Sequence, residues 1–347
     1  RRAFAKIDRA ALERGFDVVH DHCGFTALAM ADRLGTPLVH TLHGPFTPST
    51  AAFYEHHGHK AALVGISEAQ LESAPAGLQP VCAIPNPIDV GAWPLREDKD
   101  DYLLWVGRMT PEKGPHRAIA AARDAGVPLV LAGVVQPGQQ EFFDAEIAPH
   151  LGSGRVRFIG EVAGPVKRSL FAGARGLLVP IRWEEPFGMV MVEALACGTP
   201  VIAFPEGAAR ELVIDGTTGF LVEDEAAMSA AIGRLPAIAA GDCRAWVAEH
   251  CDVDVVARRL RAGLPIGGAR TRRTGRGPCL RARLASSTAA PSSWATASAT
   301  CGSRRAASMA SSATTRASSR AGSCGSMTRR CSCSGATRTR ISRRSSS

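Results

Sequence analysis

Residues 182–205 read RWEEPFGMVMVEALACGTPVIAFP, and this stretch predicts a strand, a loop, a helix and a second strand. An apolar run at 176–181 precedes it, and another at 199–204 ends it. The apolar residues from 187 to 195 recur at helical spacing, so we expect one buried stripe along that helix. The result is a βαβ unit whose loop lies at the carboxyl end of a strand, where open α/β sheets bind ligands.

Two carboxylates belong to this unit. Glu185 lies in the loop, and Glu193 follows about two turns into the helix. At about 100° per residue, Glu193 falls roughly 130° from the middle of the apolar stripe. We therefore expect it to point away from the core, toward the mouth of the unit. On spacing alone, a structural interpretation fits as well as a functional one, with Glu193 as a solvated helix residue and Glu185 as a partner of the helix dipole.

The sequence around the two acids is more informative than their spacing. EPFGMVMVEALACGTPVIA, at 185–203, resembles the Glu-x7-Glu motif of retaining nucleotide-sugar glycosyltransferases of the GT-B fold, family 4. The resemblance implies that Glu185 meets hydroxyls of the donor sugar and that Glu193 meets the nucleotide ribose. It also implies that the helix entry at Phe187 and Gly188 stabilises the departing diphosphate. A helix N-terminus suits that task because its free N–H groups attract anions.

A second motif, GRMTPEKG at 107–114, follows the first strand of a later α/β series. Arg108 can donate two hydrogen bonds side by side, and Lys113 is a mobile point charge, which together suit a pyrophosphate. The alternative is an exposed basic loop. The motif resembles the GR-x-x-x-x-KG element of the same family, which implies that Gly107, Arg108 and Lys113 bind the donor diphosphate.

Four histidines cluster at two predicted strand ends, at positions 20, 22, 40 and 43. Zinc is conceivable for such a group, but no acidic third ligand is implied and enzymes of this family need no metal. HTLHG at 40–44 resembles the family segment whose histidine lies over the donor sugar, a role that falls on His43. We expect the other three to be structural or to line a cleft, and we expect neither a metal nor a cofactor.

Strands alternating with helices predict parallel sheets covered on both faces. With the resemblance, the expected fold is α/β of the GT-B type, with two doubly wound, Rossmann-like domains facing a cleft. Residues 1–88 would form a partial acceptor-side domain and residues 89–261 the nucleotide-sugar donor domain. The first domain is expected to be incomplete, because the chain opens on Arg1 in a predicted helix over 1–14. A helix that closes back across the domains is expected to be lost after Arg261.

Three local features add detail to the expected fold. Ser67 and Gln70 have the spacing of a capping box, which predicts a helix start. EGAARELVIDGTTGFLV, from position 206, resembles the family stretch after the acidic pair, but has Glu206-Gly207 where two glycines are usual. Glu211 matches a family glutamate, and we interpret it as a helix-start residue.

The composition changes near Arg261. Residues 262–347 contain no acid and 16 of the 41 basic residues, leaving 25 basic against 32 acidic residues in the body. The overall charge of +9 therefore comes wholly from this segment. A nucleic-acid-binding arm, a low-complexity linker and out-of-frame translation all fit its Arg/Ser/Ala composition, and the last is favoured. In each case we expect a disordered tail, because it has little apolar surface to bury.

The cysteine distribution and the length of the apolar runs further restrict the expected class of protein. The cysteines of the body are scattered, which favours reduced thiols in a cytoplasmic protein. No apolar run is long enough for a membrane span. We therefore expect a metal-independent, hexosyltransferase-type enzyme that moves a sugar from a nucleotide diphosphate sugar to an unknown acceptor with retention. An inactive fragment that still binds nucleotide and a basic-tailed nucleic-acid binder are the alternatives.

Overall fold

The strands of the chain form two separate parallel sheets in a computed structural model that describes residues 16–152 and 154–263. The first sheet has the order β1-β2-β3-β4. Its strands are β1 (Val19–Asp21), β2 (Leu38–Thr41), β3 (Ala62–Gly65) and β4 (Cys82–Ala83). All of these strands are parallel, as the alternation of strands and helices predicts.

The second sheet has the order β10-β9-β8-β5-β6-β7. Its strands are β5 (Leu103–Val106), β6 (Leu129–Ala132), β7 (Val156–Phe158), β8 (Gly176–Val179), β9 (Val201–Ala203) and β10 (Gly219–Leu221). The chain leaves β5 in one direction through β6 and β7, then returns to the other side of β5 with β8. The gap between β5 and β8 is therefore the switch point, where sheets of this kind bind ligands beyond the carboxyl ends of the strands.

Helices cover both sheets. Those that follow the first strands are α1 (Phe25–Ala29), α2 (Pro48–His57) and α3 (Glu68–Glu72). Those of the second series are α4 (Pro115–Asp124), α5 (Gln140–Glu146), α6 (Gly164–Gly173), α7 (Met189–Ala196), α8 (Ala209–Leu212), α9 (Glu225–Ile232), α10 (Ala240–His250) and α11 (Val253–Gly263). No helix among these described residues is long and apolar enough to cross a membrane.

The second sheet is buried on both faces. Leu103 and Trp105 of β5 pack into one cluster with α4 and α9, whereas Leu104 packs into the other with α7 and α10. This alternation follows from the two-residue repeat of a strand. It explains why the strands read as unbroken apolar runs: with a helix layer on each face, neither face needs polar residues.

The last helix crosses back to the first sheet. Ile88 donates a backbone hydrogen bond to Cys251 (2.9 Å) and accepts one from Val253 (3.0 Å). Val256 of α11 then packs with Val39 and Ile84 of the first sheet. The expectation that the closing helix is lost after Arg261 was therefore wrong, since a helix that begins at Val253 already makes this contact.

The GT-B architecture is confirmed, and local details differ from the sequence prediction. The strands β8 and β9 lie within the apolar runs at 176–181 and 199–204 but are shorter, because the ends of those runs belong to loops. Residues 225–263 contain three α-helices separated by short connections. The tail was placed from position 262, yet Ala262 and Gly263 finish α11. The predicted helix over 1–14 and the remainder of the tail lie outside the described residues.

Candidate functional site

Two loops flank the switch point, and the structure brings their charged residues together. Lys113 follows β5 and Glu185 follows β8, and the Lys113 ammonium donates to Glu185 Oε2. Both side chains are only 16% exposed. Trp183 completes the group, because its indole Nε1–H donates to the same oxygen at 3.1 Å and its ring lies 4.4 Å from Lys113 Nζ. Trp183 adjoins the acidic motif in sequence, and sequence reasoning missed it.

Arg108 lies on the same loop as Lys113 but has a different environment. Its side chain is exposed and makes no hydrogen bond or ion pair with a described residue. Gly107 continues β5 and donates its backbone N–H to Ala132 O at 3.0 Å. The loop therefore presents one cation already paired and one whose donors are all available to a ligand.

The entry to α7 depends on Gly188, which has φ +87° and precedes the helix directly. A side chain is strained at this angle, so a glycine is required. The amides of Phe187 and Gly188 make no hydrogen bond to a described residue. Phe187 was expected at the site, but its side chain is buried in the core at 3% exposure, so only its backbone can face a ligand.

The burial of Glu193 differs from what the sequence predicts. Glu193 was expected to point away from the core, toward the mouth of the unit, yet it is only 8% exposed and every residue of α7 from Met191 onward is buried. The helices α6 and α10 both pack against α7. Lys167 of α6 donates to Glu193 Oε1 at 2.6 Å, while Oε2 is buried without a hydrogen-bond partner. Burial raises the pKa of this carboxyl, although Lys167 opposes the shift.

The histidines gather at the carboxyl edge of the first sheet. His22 Nδ1 and His43 Nε2 share a hydrogen bond of 2.8 Å, and His20 bonds the Thr41 hydroxyl at 2.8 Å. Although the His43 side chain is exposed, desolvation of its ring, followed by His22 and His40, lowers its pKa to about 4. The pKa of His20 also falls to about 4, first through burial and then through His22. Both rings are therefore neutral at pH 7.

His40 is structural, as expected. It is fully buried, and its Nδ1 lies 2.6 Å from Asp21 Oδ2. Burial acts to raise the pKa of Asp21, but the hydrogen bonds from His40 and the Cys23 amide outweigh it and the pKa is lowered. No group of three or more His, Cys, Asp or Glu residues in 16–152 and 154–263 is placed to hold a metal ion.

A short cleft lies between the first sheet and the second. Pro45, which follows His43, lines one wall, and Glu185, Pro186 and Gly207 line the other. Gly207 has φ +51°, and a Cβ there would collide with the backbone of Glu185. The Glu185 loop is therefore seated directly on this glycine.

Glu206 is paired with an arginine. Its Oε1 accepts from Arg182 Nη1 at 3.1 Å, and Arg182 Nη2 also donates to Glu223 O at 2.5 Å. The guanidinium carbon lies 4.1 Å from the centre of the Phe204 ring. The unusual acid is thus paired with a cation, Arg182, which lies three residues after the end of β8.

Models of two families match the chain in succession. The model described as Glycosyltransferase Family 4 matches residues 1–91, and the one described as Glycosyl transferases group 1 matches residues 92–236. Both models describe glycosyltransferases, and together they match residues 1–236. The first model ends, and the second begins, in the connection between β4 and β5.

Curated relatives agree with this assignment. The glycogen synthase of Mycobacterium tuberculosis (strain H37Rv) is 29% identical over 264 residues, which cover 67% of this chain and 63% of the relative. A D-inositol 3-phosphate glycosyltransferase of Mycolicibacterium paratuberculosis is 32% identical over 245 residues, or 60% of this chain and 55% of the relative. The chain therefore spans less than two thirds of the length of either protein.

Solved structures share the fold. AviGT4, a glycosyltransferase involved in avilamycin A biosynthesis, has 26% identity and a TM-score of 0.58, over 75% of this chain and 76% of that one. Anabaena Alr3699/HepE, solved with UDP and glucose, has 23% identity and a TM-score of 0.61, over 74% of this chain and 80% of its own.

Proposed function

We propose that the chain binds a nucleotide diphosphate sugar at the switch point of the second sheet and transfers its sugar with retention of anomeric configuration. The observation that carries this proposal is the meeting of Lys113, Glu185 and the start of α7 at one edge of the sheet. Three kinds of group converge there: a cation, a carboxylate and unpaired backbone amides. Solved structures of Alr3699/HepE contain UDP, which supports a nucleoside diphosphate as the donor leaving group.

The diphosphate is assigned to Arg108, Lys113 and the amides of Phe187 and Gly188. An ammonium has three donors, and Lys113 uses one of them on Glu185, so it can hold a phosphate oxygen without releasing the acid. Arg108 has all of its donors available. As the bond to the anomeric carbon breaks, negative charge grows on the diphosphate, and groups already in place stabilise it without reorganising.

The sugar and the ribose are assigned to the two acids. Glu185 is held by Lys113 and Trp183, which fixes its carboxylate to accept from sugar hydroxyls and leaves it poorly suited to covalent attack. Retention is then assigned to departure and attack on one face of the sugar. Glu193 has one buried oxygen without a partner, which a ribose hydroxyl would satisfy after a small movement. His43, on the first sheet, is assigned to the sugar from the opposite wall.

No metal is assigned to this site. Arg108 and Lys113 supply the positive charge that a divalent cation supplies in other phosphate sites. The acceptor is left open, and the proposed domain limits remain residues 1–88 and 89–261.

The test has two stages. Calorimetry with UDP, GDP and ADP asks whether the full chain binds a nucleoside diphosphate, and incubation with the matching nucleotide sugar asks whether sugar is released or transferred. Binding followed by release with retained configuration supports the proposal. Binding without turnover favours the nucleotide-binding alternative, and no binding of any of the three nucleotides refutes both.

A further inference from the structure

A buried glutamine holds the loop that carries His43. Gln70 lies on α3 and is 3% exposed. Its side-chain Nε2 donates to Leu42 O and to Gly44 O, each at 2.9 Å, and its Oε1 accepts from the Ile66 amide at 2.8 Å. These bonds clamp the residue before His43 and the residue after it. Sequence reasoning found only the start of the helix, because a capping box would send the Gln70 side chain to Ser67.

The same turn of helix is tied to the second sheet. The Ser67 hydroxyl accepts from the Gln70 amide at 2.9 Å and donates to Pro186 O at 2.7 Å. Pro186 directly follows Glu185. The carboxylate of Glu211, at the start of α8, accepts from the amides of Glu68 (3.0 Å) and Ala69 (2.7 Å). An acid of the second sheet thus caps a helix of the first, which goes beyond its expected role as a helix-start residue.

These contacts form one continuous path between the two walls of the cleft. It runs from the His43 loop through Gln70 and Ser67 to Pro186. Each step is a direct hydrogen bond between groups that are buried or half-buried, where such bonds are costly to leave unmade. A displacement of either wall must therefore break or stretch a bond at α3.

We infer that Gln70 is a positioning residue that, through Ser67 and Glu211, fixes the His43 loop against the Glu185–Pro186 loop. The inference rests on the proposed function in one respect, namely that His43 faces the donor sugar. A purely structural Gln70 would stabilise the fold while leaving the surroundings of His43 unchanged when it is replaced. A positioning Gln70 would alter those surroundings in the folded protein.

The test compares Gln70→Met with Glu72→Gln in the full chain. Methionine has a similar volume but cannot donate to Leu42 O and Gly44 O, whereas Glu72 is an exposed residue of the same helix. Histidine NMR, with His43→Asn to assign the signal, reports the pKa of His43. In Gln70→Met we expect the pKa of His43, lowered to about 4 in the parent chain, to rise toward 6.5, because the displaced loop leaves the ring less desolvated and farther from His22. In Glu72→Gln this pKa should stay unchanged.

Hydrogen exchange and nucleotide binding complete the design. The Leu42 amide, which bonds Val64 O, should exchange about tenfold faster in Gln70→Met. UDP affinity of Gln70→Met should stay within about twofold, because the backbone amide of residue 70 still bonds Ser67, and Ser67 still bonds Pro186 beside the groups assigned to the diphosphate. Ser67→Ala, which removes the bond to Pro186, should shift the pKa of His43 in the same direction but by less. This variant replaces Gln70→Met in the test if Gln70→Met does not fold.

The outcomes separate the two proposals. The role of Gln70 would be overturned if the pKa of His43 and the exchange rate of the Leu42 amide match those of the parent chain in both Gln70→Met and Ser67→Ala. A parent chain that binds no nucleoside diphosphate would defeat the proposed function, while the histidine titration would still decide whether Gln70 fixes the loop.

Discussion

Replacing Arg108 by alanine should weaken nucleoside diphosphate binding without loss of stability. The Arg108 side chain is exposed and makes no hydrogen bond or ion pair with a described residue, so its removal breaks no contact of the folded chain. A hydrogen bond to a charged group contributes about 1.5–3 kcal/mol. The dissociation constant should therefore rise roughly 10- to 150-fold. Arg108→Lys keeps the charge but loses the paired donors, so it should fall between the parent and alanine.

The assay is calorimetry with whichever of UDP, GDP or ADP the parent chain binds, supported by thermal unfolding of each variant. Arg123→Ala is the matched control, because Arg123 is also an exposed arginine of the same βα unit and, among the described residues, its side chain pairs only with the exposed Asp124. Equal affinities for Arg108→Ala and Arg123→Ala would refute the assignment of Arg108 to the diphosphate. A large drop in the unfolding temperature of Arg108→Ala would show that its side chain supports the fold instead.

Three further outcomes are expected. Glu193→Gln should weaken binding of the free nucleotide, whereas Glu185→Gln should spare it and weaken only the nucleotide sugar; calorimetry with both ligands checks this, and equal losses would contradict it. EDTA should leave nucleotide affinity unchanged, because Arg108 and Lys113 supply the positive charge; a loss that magnesium restores would count against them. The pKa of His20 is lowered from 6.5 to about 4, so the folded state binds fewer protons than the unfolded chain in that interval. Stability should therefore be full above pH 6.5 and fall as the pH drops toward 4, and His20→Asn should flatten that dependence in pH-resolved thermal unfolding.

The sequence predicted the layers of the fold well, because each strand of the second sheet is a short apolar run between helices. It could not place Lys113 beside Glu185 from spacing alone, since they are 72 residues apart and meet only because β5 pairs with β8. The family resemblance, rather than the periodicity, named both residues. Trp183 and Lys167 carried no comparable signal.

The error on Glu193 has a physical origin. The predicted direction of the Glu193 side chain follows from its angle to one apolar stripe, and a single stripe describes a helix with one buried face. Here α6 and α10 cover further faces, so a residue off the stripe is still buried. Burial of this kind depends on how many other elements pack against the helix, which the periodicity of that helix alone does not predict.

Gln70 shows a second limit. Its position three residues after Ser67 correctly predicted a helix start, and Ser67 does cap that helix. The side chain nevertheless turns to Ile66, Leu42 and Gly44, because the buried carbonyls of the His43 loop need donors. Local patterns thus located the residue, while the tertiary fold decided which groups it serves.

The most direct test of the central claim is a crystal structure of the full chain with the nucleoside diphosphate that it binds best. We expect the diphosphate to lie between the two loops of the switch point, with phosphate oxygens in contact with Arg108, Lys113 Nζ and the amides of Phe187 and Gly188. We also expect the ribose beside Glu193. A diphosphate bound elsewhere, or a site at the switch point that stays empty at saturating nucleotide, would contradict this claim.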